Sequence, residues 1–286
     1  MNGDADGLSE LPRLPDPAAL FEARAARLRV LAAGNPAGDF LLLLSRVAAG
    51  QRDAVNEIRV RPAPATVAPP LAADRVARDG SWRRMLGMIV AAARAPGLPP
   101  EALDALVRLS GAEPAELERI ADAVIAGAVA PADVACAPFV SAALQAWFAA
   151  AAATLDPVAL ERGGPACPVC GALPVAGVVE GIGRRRFLSC ALCASAWHVP
   201  RLQCVACGTD AELAYLHAEG DPGVKAEACS RCRTYVKLFD EEHRPGVEPT
   251  ADDLATLALD LVLAEEGWRR IGRNYALAVA TAGAGA

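Results

Sequence analysis

Apolar residues recur at intervals of three and four through the first 160 positions, and short β-branched runs replace them afterwards. Asp16 and Pro17 read as the cap and first turn of a helix whose apolar face is Leu20, Phe21, Ala25, Leu28 and Leu31, with Gly34 ending it. A turn at 35–38 leads to a second helix carrying Phe40, Leu41, Leu44, Val47 and Ala48 on one face and reaching as far as Val60. Residues 61–73 hold four prolines and predict an extended connector. Further helices are predicted over 82–93, 100–110, 114–128 and 139–153, each bounded by Pro or Gly. No segment before Leu155 alternates as a strand does, so 16–160 is expected to be an all-helical domain behind a disordered stretch, 1–15.

The pattern changes at 161–165. Residues 173–180 are apolar and β-branched, 181–183 turn, and 184–189 return; 213–217, a Gly-Asp-Pro-Gly turn at 220–223, and 224–228 repeat the design. Two hairpin modules are therefore predicted, 161–202 and 203–245. The last element, 246–275, reads as one helix. Thr250 caps it, Asp252 and Asp253 sit at its positive end, and Arg269 and Arg270 sit at its negative end before Gly272. Leu254, Leu257, Leu261, Ala264 and Trp268 form its apolar stripe, and 276–286 is expected to fray.

Cysteine spacing adds chemistry to this frame. Eight of nine cysteines form four Cys-x-x-Cys pairs: Cys167/Cys170, Cys190/Cys193, Cys204/Cys207 and Cys229/Cys232. Two thiolates separated by two residues can both point inward from one tight turn, so two pairs complete a tetrahedral S4 site for zinc or iron. The intervals between pairs are 19, 10 and 21 residues, and a hairpin fits the longer ones, which joins first to second and third to fourth. Gly171 and Gly208 follow the first pair of each repeat, where the knuckle favours positive φ. Cys136, in an apolar stretch, reads as buried packing.

Composition and charge remove competitors. The chain is 53% hydrophobic but only 5% aromatic, so its core is expected to be built through Ala and Leu. The start, MNGDADGLSELPRLPDP, lacks a basic region followed by an apolar one, so no export signal is expected and the cytoplasm is the default location. Residues 134–155 carry no charge over a membrane-spanning length, yet they are alanine-rich and interrupted by Pro138 and Gln145, which favours a buried core helix. Arg184, Arg185 and Arg186 match a twin-arginine pattern only superficially and read as a solvated strand edge. A net charge of −6 disfavours nucleic acid and anionic membranes as partners. The helical half contains no histidine, and His198, His217 and His243 find no vacancy at sites already holding four thiolates. Nor is a coordination position left for a metal-bound water, which argues against zinc hydrolysis.

The run CPVCG, then LSCALCASAWHVPRLQCVACG, AEACSRCRTYVKLF and VEPTADDLATLALDLVLAEEGWRR resembles the FdhE family of formate dehydrogenase accessory proteins. The resemblance covers 165–270 closely and the helical half loosely. It implies an α+β chain: an all-helical N-terminal domain, two tandem rubredoxin-like or zinc-ribbon hairpin modules, and a C-terminal helix. It also implies a cytoplasmic maturation factor without catalytic residues, binding the catalytic subunit of respiratory formate dehydrogenase. Cys167, Cys170, Cys190, Cys193, Cys204, Cys207, Cys229 and Cys232 would hold two metal ions, iron or zinc. The rival readings are a nucleic-acid-binding zinc ribbon, disfavoured by the nearly balanced charge of 161–245, and a Cys-x-x-Cys redox protein or chaperone, which lacks its usual glycine-rich repeats.

Overall fold

The computed structural model describes residues 11–63, 67–161, 163–217 and 221–277. Residues 1–10, the tail beyond Leu277 and Gly220 of the second turn lie outside the described residues. Six helices form the N-terminal body: α1 (Pro17–Ala32), α2 (Gly38–Glu57), α3 (Ser81–Ala93), α4 (Pro100–Gly111), α5 (Pro114–Ala126) and α6 (Ala137–Ala152). Asp16 caps α1 by accepting from the amides of Ala18 and Ala19, as its position before Pro17 predicts. The charge-free α6 is buried on every side: Leu144, Trp147 and Phe148 are fully enclosed, so the other helices wrap it. Among the described residues, no helix is long and apolar enough to cross a membrane.

Residues 11–15 are ordered, contrary to expectation. Arg13 exchanges backbone hydrogen bonds with Ala196, lies over the Phe187 ring and pairs with Glu180. Its backbone therefore has a sheet edge to pair with, a contact about 180 residues away that local composition does not reveal.

Six strands follow: β1 (Pro174–Glu180), β2 (Arg185–Cys190), β3 (Ala196–His198), β4 (Leu213–His217), β5 (Val224–Cys229) and β6 (Thr234–Asp240). The two hairpin modules do not stand apart. They share one sheet in the order β3-β2-β1-β6-β5-β4, joined where β1 and β6 run parallel with Gly177 opposite Leu238. Arg186 strengthens this junction. It is fully buried, pairs with Glu227 across the modules and donates to the Gln203 carbonyl, so the expected solvated arginine edge is corrected. Arg184 likewise pairs with Asp240.

The C-terminal helix is present but broken. It forms α7 (Pro249–Ala255) and α8 (Leu257–Glu265), and the chain then adds β7 (Arg269–Arg270) beside β6. The break has a cause in Lys237, whose Nζ donates to the Asp253 carbonyl at 2.8 Å and engages Asp260 at 2.6 Å. An uninterrupted helix needs that carbonyl for Leu257. Phase shifts across the break, so Leu259 and Leu263 are buried while Leu261 is 68% exposed, reversing part of the predicted stripe. Glu248, not Thr250, caps α7 by accepting from the Ala251 amide at 2.8 Å.

Candidate metal centres

Each Cys-x-x-Cys pair folds as the same tight turn. The residue after each pair is left-handed: Gly171 (φ 75°), Ala194 (φ 58°), Gly208 (φ 72°) and Arg233 (φ 57°). In three of them its amide donates to the carbonyl of the first cysteine, at 2.9 Å for Gly171, 2.9 Å for Gly208 and 2.8 Å for Arg233. Glycine makes this conformation easy in the first knuckle of each module; Ala194 and Arg233 adopt it at some steric cost.

The hairpins bring the knuckles together in sequential pairs. In the first cluster Cys167 Sγ lies 3.5 Å from Cys193 Sγ, and Cys170 Sγ lies 3.4 Å from Cys190 Sγ. In the second, Cys204 and Cys232 are 3.7 Å apart and Cys207 and Cys229 are 3.8 Å apart. A regular tetrahedron with metal–sulfur bonds of about 2.3 Å has sulfur–sulfur edges of about 3.8 Å. The separations exceed a disulfide bond of about 2.05 Å by far, and all nine cysteines are free. Within each cluster the four sulfurs lie within 4.8 Å of one another. The donor sets fit two thiophilic ions.

Surroundings differ between the clusters. All four cysteines of the first are buried, Cys193 completely. The amides of Leu192 and Cys193 donate to Cys190 Sγ at 3.3 and 3.4 Å, and Ser195 Oγ lies 3.3 Å from Cys193 Sγ. The helical body closes the outside: Leu71 and Ala73 amides bond the carbonyls of Val169 (2.8 Å) and Cys170 (3.0 Å), and Gln145 Nε2 bonds the Ala191 carbonyl at 2.7 Å. Burial pushes the Cys167 thiol well above its ordinary range. Burial opposes ionisation of Cys190 too, but the neighbouring thiols and the Cys193 amide hold it well below. Four enclosed thiolates need a cation, which takes the place of their protons.

The second cluster is open on one side. Cys204 and Cys229 are buried, Cys232 is half-buried and Cys207 is exposed. Burial pushes Cys204 up to about 12. Burial also opposes ionisation of Cys232, yet the Thr234 hydroxyl, 3.0 Å from its sulfur, and the Thr234 amide bring it down to about 7.

Other sequence candidates fall outside these clusters. Cys136 is buried in the helical core beside Arg108, as expected for packing. His198 stacks edgewise on Phe187 at 5.6 Å between centroids. Asp240, Glu242 and His243 converge at the surface, but Asp240 is engaged by Arg184, which holds its carboxyl down at about 2.

A buried ion network was not foreseen. Lys237, wholly enclosed on β6, pairs with Asp253 (2.8 Å) and Asp260 (2.6 Å); Asp253 also takes Arg270 (2.7 Å) and Asn274 (2.9 Å). The adjacent Asp252 receives Arg27 at 2.7 Å and Arg244 at 2.5 Å, and Glu248 receives Arg24 at 2.9 Å. The paired carboxylates of α7 thus tie α1, β6 and the C-terminal segment together. Burial opposes the charge on Asp253, but Lys237 and Arg270 outweigh it and hold the carboxyl below its ordinary range.

Comparison with known proteins places three family models end to end along the chain: "FdhE, N-terminal" on residues 10–164, "FdhE, central domain" on 166–201 and "FdhE, C-terminal domain" on 202–277. A relative from Cronobacter sakazakii, "Protein FdhE homolog", is 36% identical over 278 residues, covering 92% of this chain and 88% of its own. A relative of the same description from Pseudomonas putida is 38% identical over 288 residues, covering 93% and 90%. The crystal structure of the FdhE protein from Pseudomonas aeruginosa superposes with a TM-score of 0.81 at 32% identity, covering 95% of this chain and all of that one.

Proposed function

Since the chain belongs to the FdhE family, we propose that it is a cytoplasmic accessory protein for formate dehydrogenase, holding the catalytic subunit during its maturation without catalysing a reaction itself. The observation that carries this reading is the match of helical body, both clusters and C-terminal segment to one family over nearly the whole length. In this reading Cys167, Cys170, Cys190 and Cys193 hold one iron or zinc ion, and Cys204, Cys207, Cys229 and Cys232 hold another. Bound, each ion would tie together the two knuckles of one hairpin module. Four sulfur ligands complete a tetrahedron and leave no place for a reactive water, which favours holding over hydrolysis.

The division proposed is a helical domain, 16–160, two metal modules, 161–202 and 203–245, and a C-terminal segment, 246–275. Their junction supplies a candidate client face: an open cleft of about 590 Å³ lined by Ile125, Leu173, Ile271, Arg273 and Tyr275. Its apolar side chains suit an apolar protein segment, while Arg273 braces one wall by donating to the carbonyls of Val124 and Ile125. The test is co-purification of the metal-loaded chain with formate dehydrogenase catalytic subunit. We expect a complex that weakens when Leu173 and Ile271 are replaced; failure of the unaltered chain to retain the subunit overturns the reading.

A further inference from the structure

We propose that the two clusters are inequivalent, and that the second is a metal-exchange centre whose solvent-facing ligand is Cys207. The inference rests on reading both clusters as metal centres, and goes beyond it by assigning them different kinetic roles.

The argument starts from what an exchange reaction needs. A competing ligand must reach the ion while one protein sulfur lets go, so exchange is fast where a ligand is exposed and slow where the fold must first open. The first cluster offers no exposed sulfur-bearing residue. Val169, Leu192 and Ala191 enclose its knuckles, the 71–73 connector bonds two knuckle carbonyls, and Gln145 of α6 bonds a third. Reaching that ion requires the helical body to separate from the sheet.

The second cluster has no such cover. Cys207 is exposed, as are its neighbours Ala206 and Gly208, and so are Ser230 and Arg231 of the facing knuckle. No helix of the N-terminal body donates a hydrogen bond to a knuckle carbonyl there among the described residues. The bonds that do reach it come from the second module itself and from β7. Gln203 Nε2 donates to the Gly208 carbonyl at 3.2 Å, and Arg269 donates to the Cys232 carbonyl at 3.4 Å from β7. The knuckle can therefore swing Cys207 away while Cys204 and Cys229 stay buried. The two modules repeat one design in sequence and give no hint of this difference; it arises because only the first module's knuckles lie against the N-terminal helical body and its connector.

The experiment follows zinc release from the full chain loaded with zinc, using an excess of a chromophoric chelator. Two equivalents bound tests the reading of the clusters; fewer overturns that reading and the proposal with it. Two phases of one equivalent each are expected, separated by more than about tenfold in rate, because opening the helical interface adds a barrier that the exposed knuckle lacks. Cys207→Ser is expected to accelerate or abolish only the fast phase, leaving the slow equivalent unchanged. Limited alkylation read by mass spectrometry serves as the second measurement, since it needs no variant: Cys207 is expected to be modified before any cysteine of the first cluster. A single phase releasing both equivalents, or earlier modification at Cys167, Cys170, Cys190 or Cys193, overturns the proposal while leaving the metal reading intact.

Discussion

Replacing Asp253 with Asn tests the buried clasp most directly. Its carboxylate is fully enclosed and faces Lys237 Nζ at 2.8 Å and Arg270 at 2.7 Å. At an effective dielectric of about 20 each contact is worth roughly 6 kcal/mol of gross attraction, most of which only offsets the cost of removing the charges from water. The net penalty for deleting one partner of a buried pair is about 3–5 kcal/mol, because the other charge stays behind without compensation. Asp260 still reaches Lys237 at 2.6 Å, so the lower end applies. For a chain of this size about 3 kcal/mol lowers the melting temperature by roughly 6–12 °C. The assay is urea and thermal unfolding of the metal-loaded chain, followed by circular dichroism and tryptophan fluorescence together, so that coincident transitions justify a single free energy. Lys237→Met combined with Asp253→Leu removes both charges, and its loss is expected to fall well short of the sum of the single losses. A loss below about 1 kcal/mol for Asp253→Asn, or additivity in the double variant, refutes the clasp as described.

The same group sets an acid limit. Its folded pKa lies below the unfolded value, so its stabilisation is complete above the ordinary carboxylate range and disappears as pH falls through the folded value. Asp240, held at about 2 by Arg184, adds to this loss in the same direction between about pH 4 and 2, and Asp240→Asn is expected to flatten the lower part of an acid-unfolding curve. Gly272→Ala places a Cβ 2.1 Å from the Pro174 carbonyl oxygen, backbone that has little room to yield, so a destabilisation of about 1–3 kcal/mol in urea unfolding is expected. Ala194→Gly removes a left-handed alanine and is expected to leave stability unchanged or to raise it by up to about 1 kcal/mol in the same measurement. Cys136→Ala is expected to leave the metal content by elemental analysis unaltered, since Cys136 packs against helices and belongs to neither cluster.

Legibility followed the range of the interactions. Helix starts were readable from Asp16, Pro100 and Pro114 because caps and helix-starting prolines act over a few residues, whereas the left-handed Gly127 that ends α5 fell inside the expected helix 114–128. The sulfur clusters were readable because one residue type repeats at one spacing, and sequential pairing follows from loop length alone. Strand β6 escaped notice. Its Tyr-Val-Lys-Leu-Phe core has strand composition, yet Lys237 in the middle suggests an exposed position, and only Asp253 and Asp260, distant in sequence, make its burial tolerable. Arg186 misled for the same reason, since its partner Glu227 lies 41 positions away. The break in the last helix could not be seen because the lysine that captures its carbonyl belongs to another element. The relation between the two modules was hidden too, since parallel pairing of β1 with β6 leaves no periodic signature.

The clasp on α7 also orders events during synthesis. Arg24 and Arg27 of the first helix are made early, but Glu248 and Asp252 lie 224 and 225 residues further along. At about 5–20 residues per second the ribosome needs on the order of 10–45 s to deliver them. Throughout that interval the two arginines face water, and the apolar surface of α1 and α2 that Ala251 and Leu254 later cover stays open. A transcript truncated between Cys232 and Glu248 therefore yields a chain that keeps its cysteines but leaves its first helix unfastened. Completion of the chain, and not only its metal content, becomes the condition for a finished fold.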